Sequence, residues 1–536
     1  MDFRYAISIV LEAHLPYVRE FRKEDDLSQA GEEWRLFETI SETLLPLLDV
    51  FDRLENDHVP FRMALVVSPV LISMLSDEHL RKKYLSHLDK QIEFGKEELE
   101  RTCNAGVTAG STANGGDLNK LAQLYFDKIS EKRTAYTERY DRNLLKAFDF
   151  YRRKGKLEIL ASCATQAFLP FISRNPESLQ AQMEIPVSGY RQYFGGSSQG
   201  FWLSNLGWTP AIEPYLHAYN YSYTIVESHG LLFGKPQPDK GTFYPVKTPG
   251  GIIILARDFY SAQEIEKLSA DEIYRNNDSD AGYELPPEKL SRFLSTEGER
   301  RRTGYKYRAR DDSVYNPKLA SEKATNHAKL FLDKTTARLE EASKHMQESP
   351  LCLYASNADN FGSLWYEGPQ FIESLFRMAS DYKDLQFVNP SVYIFKQNLS
   401  SFQVVAPEFS SSGENGYAET WLDVSNDWIY RHMAHSIERM TELAERFPDD
   451  TGLKERALNQ AAREILLAQS SDWPALLYKQ DSTEFARYQA EIALRNFTTI
   501  YEALGSNYIS TEWLTTVERR RNIFPNINYR VFRRKK

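Results

Sequence analysis

The chain has 536 residues, of which 42% are hydrophobic and 26% are charged, so it can bury a large core. Because single cores rarely exceed about 250 to 300 residues, this length predicts more than one domain. The formal net charge of −9 and the pI near 5.8 exclude a global attraction to nucleic acid or to an anionic membrane, and we expect neither as a partner.

Apolar strand-like runs alternate with amphipathic helical stretches over about the first 400 residues. Helical spacing covers residues 33–53 and begins again at residue 69. Predicted strands lie at residues 6–11, 61–67, 157–162, 200–203, 223–226, 251–256, 350–356 and 392–395. This alternation predicts an α/β fold with a parallel sheet, closed as a barrel.

A charged helical segment at residues 90–154 interrupts the alternation and is predicted to be an insertion. Its small-residue stretch 106–116 lacks the GxxxxGK[ST] spacing of a phosphate-binding loop, so we interpret it as a mobile linker. From about residue 425 the spacing is helical throughout, at 428–447, 450–468, 482–505 and 512–521. We therefore predict a barrel domain at 1–424 and an all-α domain at 425–536.

The cysteines and histidines are scattered rather than clustered. Cys103, Cys163 and Cys352 are far apart, which indicates a reducing compartment, and His327 and His432 have no metal-ligand spacing. No run approaches the ~18 apolar residues of a membrane-spanning helix, and the first residues do not resemble a signal peptide. We expect a cytoplasmic protein without a membrane anchor, a metal ion or a cofactor.

Five segments together point to a known family. The chain resembles glycoside hydrolase family 57, in the subgroup of 1,4-α-glucan branching enzymes and their amylase-like relatives. This resemblance implies an incomplete TIM-like (β/α)7 barrel with a helical insertion and an all-α C-terminal domain. The segments are LEAHLPYVR at 11–19, residues 155–170, GFWLSNLGWTPAIE at 200–213, FGSLWYEGP at 361–369 and SSDWP at 470–474.

The resemblance also implies a retaining mechanism, which requires two carboxyl groups about 5 to 5.5 Å apart. The family's nucleophile is a glutamate in the third segment, and this chain has Asn205 there. The family's acid/base is an aspartate in the fourth segment, and this chain has Asn357. An amide carries no formal charge to stabilise the transition state and no proton with a suitable pKa. We therefore predict that nearly all glycosyl transfer is lost.

Other positions around the predicted reaction centre depart from the family as well. Two histidines, a proline, a His-Trp pair and a tryptophan of the family are replaced. The residues found instead are Glu12, Gln166, Ser204, Ser363, Leu364 and Ser412. These replacements indicate that the whole reaction centre has changed.

Several residues still match the family and could form a carbohydrate site together with Asn205 and Asn357. Tryptophan faces can cover sugar rings, while fixed polar groups orient the hydroxyls. For Trp202 and Trp365, packing in the core is an equal alternative, and we expect Trp428 and Trp473 to pack. Glu158, Glu213 and Glu367 are expected to hold loops together. The matching site candidates are His14, Trp202, Asp359, Trp365, Trp421 and Asp472.

The sequence leaves three functional hypotheses. The first is an inactive homologue of a branching enzyme that binds an α-glucan or maltooligosaccharide, with a binding or regulatory role and an active glucan-metabolising enzyme as a partner. The second is an active branching enzyme or glycoside hydrolase that uses the displaced acids Asp359 and Glu12. The third is a protein-interaction scaffold with a closed pocket, which burial of Trp202 and Trp365 would favour.

Overall fold

The computed structural model describes residues 4–23, 26, 31–108, 112–290, 293, 298 and 300–534. Within these residues one curled sheet has the strand order β6-β7-β5-β4-β3-β2-β1-β8, and β9 pairs with β1. The strands are β1 (Tyr5–Ala13), β2 (Met63–Val67), β3 (Leu157–Ser162), β4 (Gly200–Trp202), β5 (Tyr223–Val226), β6 (Val246–Lys247), β7 (Ile253–Ala256), β8 (Leu351–Asn357) and β9 (Leu385–Phe387).

Seven of these strands form the wall of the barrel, and each is parallel to its neighbour: β7, β5, β4, β3, β2, β1 and β8. Every residue of β1 and β2 is buried, as expected for strands covered on both faces. The ends of the wall meet where the Asp258 N–H donates to the Leu353 carbonyl at 2.7 Å, beyond β7. The predicted incomplete (β/α)7 barrel is therefore confirmed.

Helices connect the strands on the outside of this wall. A π-helix at Thr39–Leu44 divides the helix predicted at 33–53. The helices up to β9 are α1 (Glu33–Glu38), α2 (Leu45–Asn56), α3 (Pro69–Ser76), α4 (Glu78–Thr108), α5 (Thr112–Thr134), α6 (Leu144–Arg153), α7 (Leu169–Ile172), α8 (Pro176–Phe194), α9 (Glu213–Ala218), α10 (Ser228–Leu232), α11 (Phe259–Ser269), α12 (Ala281–Glu284), α13 (Pro317–Ser343) and α14 (Gly368–Met378).

Two local predictions are wrong. Residues 392–395 lie in helix α15 (Pro390–Lys396) rather than in a strand, because Pro390 occupies the first turn, where its fixed φ favours a helix. The linker predicted at 106–116 is helical at 106–108 and 112–116, and residues 109–111 lie outside the described residues.

The C-terminal segment is helical, as predicted. The short α18 was not predicted, because Pro474 interrupts the apolar spacing. The helices are α16 (Trp428–Arg446), α17 (Leu453–Ala468), α18 (Asp472–Lys479), α19 (Thr483–Gly505) and α20 (Thr511–Arg520). They join the barrel through direct contacts: the Gln182 amide donates to the Gln469 side chain at 2.7 Å. The domain boundary at 424/425 stays a prediction.

Among the described residues, no helix is long and apolar enough to cross a bilayer.

A buried ion pair joins Glu42 of the π-helix to Arg275, which lies between α11 and α12. Arg275 donates two hydrogen bonds to Glu42, at 3.0 and 2.6 Å, and its guanidinium carbon lies 3.7 Å from the centre of the Tyr366 ring. Burial alone would raise the pKa of Glu42, but Arg275 and Lys306 outweigh it and lower that pKa to about 2. The pair therefore remains charged in the interior.

Replacement of Glu42 tests this pair. We expect Glu42→Ala to lower the free energy of unfolding by about 3 to 5 kcal/mol at neutral pH, because Arg275 is left buried and uncompensated. Since the folded-state pKa of Glu42 lies below its ordinary value of 4.5, its contribution is present above that value and is lost as the pH falls towards 2. Urea unfolding at several pH values measures both effects. Glu341→Ala, which removes an exposed pair with Lys344, is the control and should cost little; equal losses would contradict the account.

Candidate active site

The family segments converge at one edge of the barrel. Because β1, β3, β4 and β8 are parallel, their carboxyl ends meet there, and each is followed by residues of a predicted segment. Glu12 is paired in register with Asn357 on the neighbouring strand. Gln166 follows β3 and Asn205 follows β4. The sequence therefore identified the right set of elements.

Asn205, which the sequence predicts to stand at the nucleophile position, is hydrogen-bonded through both its side chain and its backbone. Its amide nitrogen donates to Ser471 Oγ at 2.8 Å, and Ser471 Oγ donates to the Gln166 carbonyl at 2.5 Å. The Asn205 carbonyl accepts from the N–H and the hydroxyl of Ser412. Its φ of 55° lies in the left-handed region, which asparagine tolerates better than most residues. Asn205 therefore suits this position both in its backbone conformation and in its hydrogen bonds.

Three of the residues that are predicted to depart from the family are hydrogen-bonded to one another, close to Asn205 in the structure. The Gln166 amide donates to Glu12 at 2.7 Å, and the Ser204 hydroxyl donates to the Gln166 side-chain oxygen at 3.3 Å. Ser204 Oγ also lies 2.9 Å from the thiol of Cys163. All four side chains are buried. The replacements therefore satisfy one another's polar groups in a place where water does not reach them.

Glu12 is a carboxyl group in an unfavourable setting for charge. It is 6% exposed. Burial raises its pKa, and His14, Gln166 and Trp202 offset that rise only in part. The Trp202 indole nitrogen is buried without a hydrogen bond of normal geometry, although it interacts with Glu12. The site therefore holds a carboxyl whose charged form is disfavoured by its burial.

His14, which matches the family in sequence, has a polar partner at each of its two ring nitrogens. Its Nε2 lies 3.0 Å from Asp472, and its Nδ1 lies 2.8 Å from Ser68 Oγ. Burial lowers the pKa of His14, but the Asp472 carboxylate together with Glu12 and Asp359 outweighs this effect, so the pKa is raised overall. Ser470 Oγ donates to the same carboxylate at 2.6 Å. This ion pair ties β1 to the start of α18.

Asn357 and Asp359 are both engaged in the wall of the site. The Asn357 side-chain oxygen accepts the Asp359 N–H at 2.8 Å and caps a short 3-10 helix at Ala358–Phe361. The Asp359 carboxylate accepts from the hydroxyls of Thr43, at 2.6 Å, and Thr39, at 3.1 Å. Burial raises the pKa of Asp359, although these hydroxyls lower it. Asp359 is thus anchored to the π-helix.

The three candidate tryptophans are covered by other side chains. Trp365 is 1% exposed and packs against Tyr274 and Phe371, with ring centres 5.3 and 5.0 Å away. Trp421 stacks on Phe168 at 5.1 Å, with ring planes 11° apart. Trp202 is 3% exposed in the barrel core. None of the three rings lies open to solvent in this structure, so a role in sugar binding requires the rings to be uncovered, and that role stays a prediction.

The packing predicted for Trp473 is confirmed, since its ring is fully buried, and the half-buried Trp428 packs against the same apolar cluster. Glu158 accepts from Tyr223 and Ser391, Glu213 accepts from Thr248, and Glu367 accepts from Tyr315. Each of these carboxylates joins segments that are distant in sequence.

The surface left to a ligand is polar. Asn205, Asn357, Asp359 and Asp472 are half-buried. The hydroxyls of Thr39 and Thr43 were not predicted, because nothing in the sequence shows that a π-helix brings them to Asp359. Ser471 lies in a quoted segment, but its role was not predicted either. Among the described residues, no three His, Cys, Asp or Glu side chains form a group suited to a metal ion.

Comparison with known proteins agrees with this geometry. The profile of glycosyl hydrolase family 57 matches residues 8–405. The chain belongs to glycosyl hydrolase family 57. A second profile, the C-terminal region of 1,4-alpha-glucan branching enzymes, matches residues 432–532. The family 57 match therefore covers the barrel and its reaction centre, and the second profile covers most of the helical segment.

Individual relatives extend over nearly the whole chain. The α-amylase AmyC of Thermotoga maritima is 32% identical, with a TM-score of 0.89 over 99% of this chain and 100% of that one. The family 57 branching enzyme of Pyrococcus horikoshii is 23% identical, with a TM-score of 0.87 over 99% and 97%. A 1,4-alpha-glucan branching enzyme of Thermococcus kodakarensis is 24% identical over 92% of this chain and 72% of its own length.

The ion pair between His14 and Asp472 gives a test with a pH dependence. We expect Asp472→Asn to lower the pKa of His14, because the main contribution that opposes the effect of burial is removed. A raised folded-state pKa stabilises the fold below the ordinary value of 6.5, and this contribution is lost as the pH rises through the raised pKa. The cost of the substitution, about 1 to 3 kcal/mol, should therefore be larger at acid than at alkaline pH.

Histidine NMR titration and urea unfolding measure the two effects. Ser470→Ala removes a hydrogen bond to the same carboxylate but keeps its charge, so the pKa of His14 should stay raised in that control. An unchanged His14 titration in Asp472→Asn would show that the ion pair does not set the pKa.

Proposed function

We propose that this family 57 protein is a catalytically inactive homologue of an α-glucan branching enzyme, which binds an α-glucan at the carboxyl edge of the barrel without cleaving it. The observation that carries the proposal is that Asn205 and Asn357 both stand where carboxylates are needed and are both hydrogen-bonded into the wall. The amides are part of a consistent local structure rather than isolated replacements.

The hydrogen bonds also limit what chemistry the two amides can perform. The Asn205 side chain is a neutral amide, so it has no charge with which to attack an anomeric carbon. Its nitrogen is also engaged, because it donates to Ser471. The oxygen of Asn357 accepts an N–H, and an amide has no proton to give a leaving group at ordinary pH. Neither half of a retaining mechanism is provided at these positions.

The contacts of the displaced acids argue against the second hypothesis. Asp359 is bound by two threonine hydroxyls, so attack on a substrate would require it to leave both. Glu12 accepts the Gln166 amide and is almost fully buried. Burial raises the pKa of each carboxyl, which disfavours the ionised form that a nucleophile must have.

Glucan binding is supported by the groups that remain within reach of solvent. Asn205, Asn357, Asp359 and Asp472 are half-buried and fixed, which suits them to orient sugar hydroxyls. The related proteins named as branching enzymes act on 1,4-alpha-glucan by their printed names, and this chain shares their fold. A regulatory role with an active glucan-metabolising enzyme as partner belongs to the same proposal.

One observation favours a second candidate, a protein-interaction scaffold with a closed pocket. Trp202 and Trp365 are both covered, so neither presents the ring that carbohydrate sites use. On the segment that precedes α16, the side chains of Tyr417, Leu422 and Val424 are exposed by 49%, 54% and 90%. Exposed apolar side chains of this size are found at protein interfaces.

Calorimetric titration with maltoheptaose separates these two candidates. We expect saturable binding that Asn357→Ala weakens about three- to ten-fold, because one hydrogen bond to a sugar hydroxyl is lost. Asn56→Ala is the matched control: Asn56 is exposed at the end of α2, next to the amino edge of the sheet, and its loss should change nothing. No heat at millimolar maltoheptaose would reject glucan binding and leave the scaffold.

An amylose–iodine assay tests the loss of catalysis. We expect no branching activity, and only traces after Asn205→Glu together with Asn357→Asp. The Ser471 hydroxyl already donates a hydrogen bond to the backbone carbonyl of Gln166. It therefore offers only lone pairs, and no donor, to a new carboxylate at position 205. Activity in the unmodified chain that Asp359→Ala abolishes would establish the displaced-acid hypothesis instead.

A further inference from the structure

A cavity lies away from the reaction centre, on the outer face of the barrel. It has a volume of about 910 Å³ and runs between α3, the second half of α8 and the last described residues of the chain. We call it the outer groove. Its lining residues come from 69–76, 180–193, Tyr219 and 524–534. None of the site residues discussed above lines it, so it is a separate surface.

The outer groove combines an apolar floor with aromatic rings. Ile72, Ile185 and Phe524 contribute apolar surface. Tyr190, Tyr193 and Tyr219 line the same space and are all half-buried, so part of each side chain is accessible. Rings in this state can cover a flat or pyranose ring of a ligand.

The rim of the outer groove is cationic although the whole chain has a net charge of −9. Arg191, Arg533 and Arg534 line it, and within the described residues no hydrogen bond or ion pair of their guanidinium groups is found, although the backbone N–H of Arg534 donates to the Glu445 carboxylate at 2.8 Å. Arg530, by contrast, is bound to Glu455 at 2.9 Å. In the part of the chain that the structure describes, the guanidinium groups of Arg191 and Arg533 therefore line this cavity without a protein partner, and Arg534 lies beside Glu445.

The acidic residue in the lining does not neutralise this charge. Glu184 accepts the Tyr219 hydroxyl at 2.8 Å and the Gln180 amide at 3.2 Å. It is thus engaged with neutral donors rather than with an arginine. Guanidinium groups without protein partners are the groups that bind phosphate through paired hydrogen bonds.

We propose that the outer groove binds a phosphate ester of a ring compound, with the phosphate on Arg191 and Arg533 and the ring against the tyrosines. The volume lies in the range of small-molecule sites, about 300 to 1,000 Å³. A nucleotide and a sugar phosphate share this chemistry, and both combine an anionic group with a ring. The reaction centre, in contrast, presents amides and carboxylates, which suit a neutral sugar.

Isothermal titration calorimetry of the full chain at low salt tests the proposal, with ADP, glucose 1-phosphate and inorganic phosphate as probes. We expect one ester to bind saturably and more tightly than inorganic phosphate, and the tighter ester identifies the ring. Arg191→Ala with Arg533→Ala should weaken this binding at least about ten-fold, because charge-assisted hydrogen bonds are lost. Maltoheptaose binding, measured in parallel, reports on the reaction centre independently.

Two further variants make the result specific. Arg431→Ala removes an exposed arginine of α16 outside the groove and should leave the affinity unchanged. Ser188→Trp fills the groove from an exposed position of α8 without changing its charge, and should weaken binding as the double variant does. Thermal melts verify that the variants fold.

Three results would overturn the proposal. The first is the absence of saturable binding of either ester at millimolar concentration. The second is full affinity in the double arginine variant, which would place the site elsewhere. The third is equal affinity for inorganic phosphate and the esters, which would show that the rings contribute nothing.

Discussion

Buried polar groups at the carboxyl edge of the barrel must be satisfied by one another, and the local structure of this site depends on that requirement. An unpaired buried polar group costs about 1 to 3 kcal/mol. Glu12, Gln166 and Ser204 form one chain of hydrogen bonds, and Asn205 joins it through Ser471. A change at one of these positions therefore alters what its neighbours can accept or donate.

This coupling fits the prediction that several positions depart from the family together. Glu12 places a carboxyl that needs donors in a buried site, and the Gln166 amide provides one. The barrel itself is stabilised elsewhere, by apolar strands and by the buried pair of Arg275 and Glu42. The reaction centre could therefore change without loss of the fold.

The sequence predicted the framework well because strand and helix periodicities are local properties. It failed at residues 392–395, where a proline after Asn389 starts a helix in a stretch with strand composition. The burial of Trp365 was equally beyond the sequence, since its ring contacts Tyr274 and Phe371 come from other elements. The position of the hydroxyls that donate to Asp359 depends on a π-helix, and hydrophobic periodicity in the sequence does not predict a π-helix.

We propose that no carboxylate in this protein attacks the anomeric carbon of a glucan. The most direct measurement is the intact mass of the protein after incubation with a 5-fluoro-maltosyl fluoride, which forms a long-lived glycosyl ester with the nucleophile of a retaining enzyme. We expect no increase in mass. A maltosyl adduct mapped to Asp359, or to any other carboxylate of the site, would contradict the account.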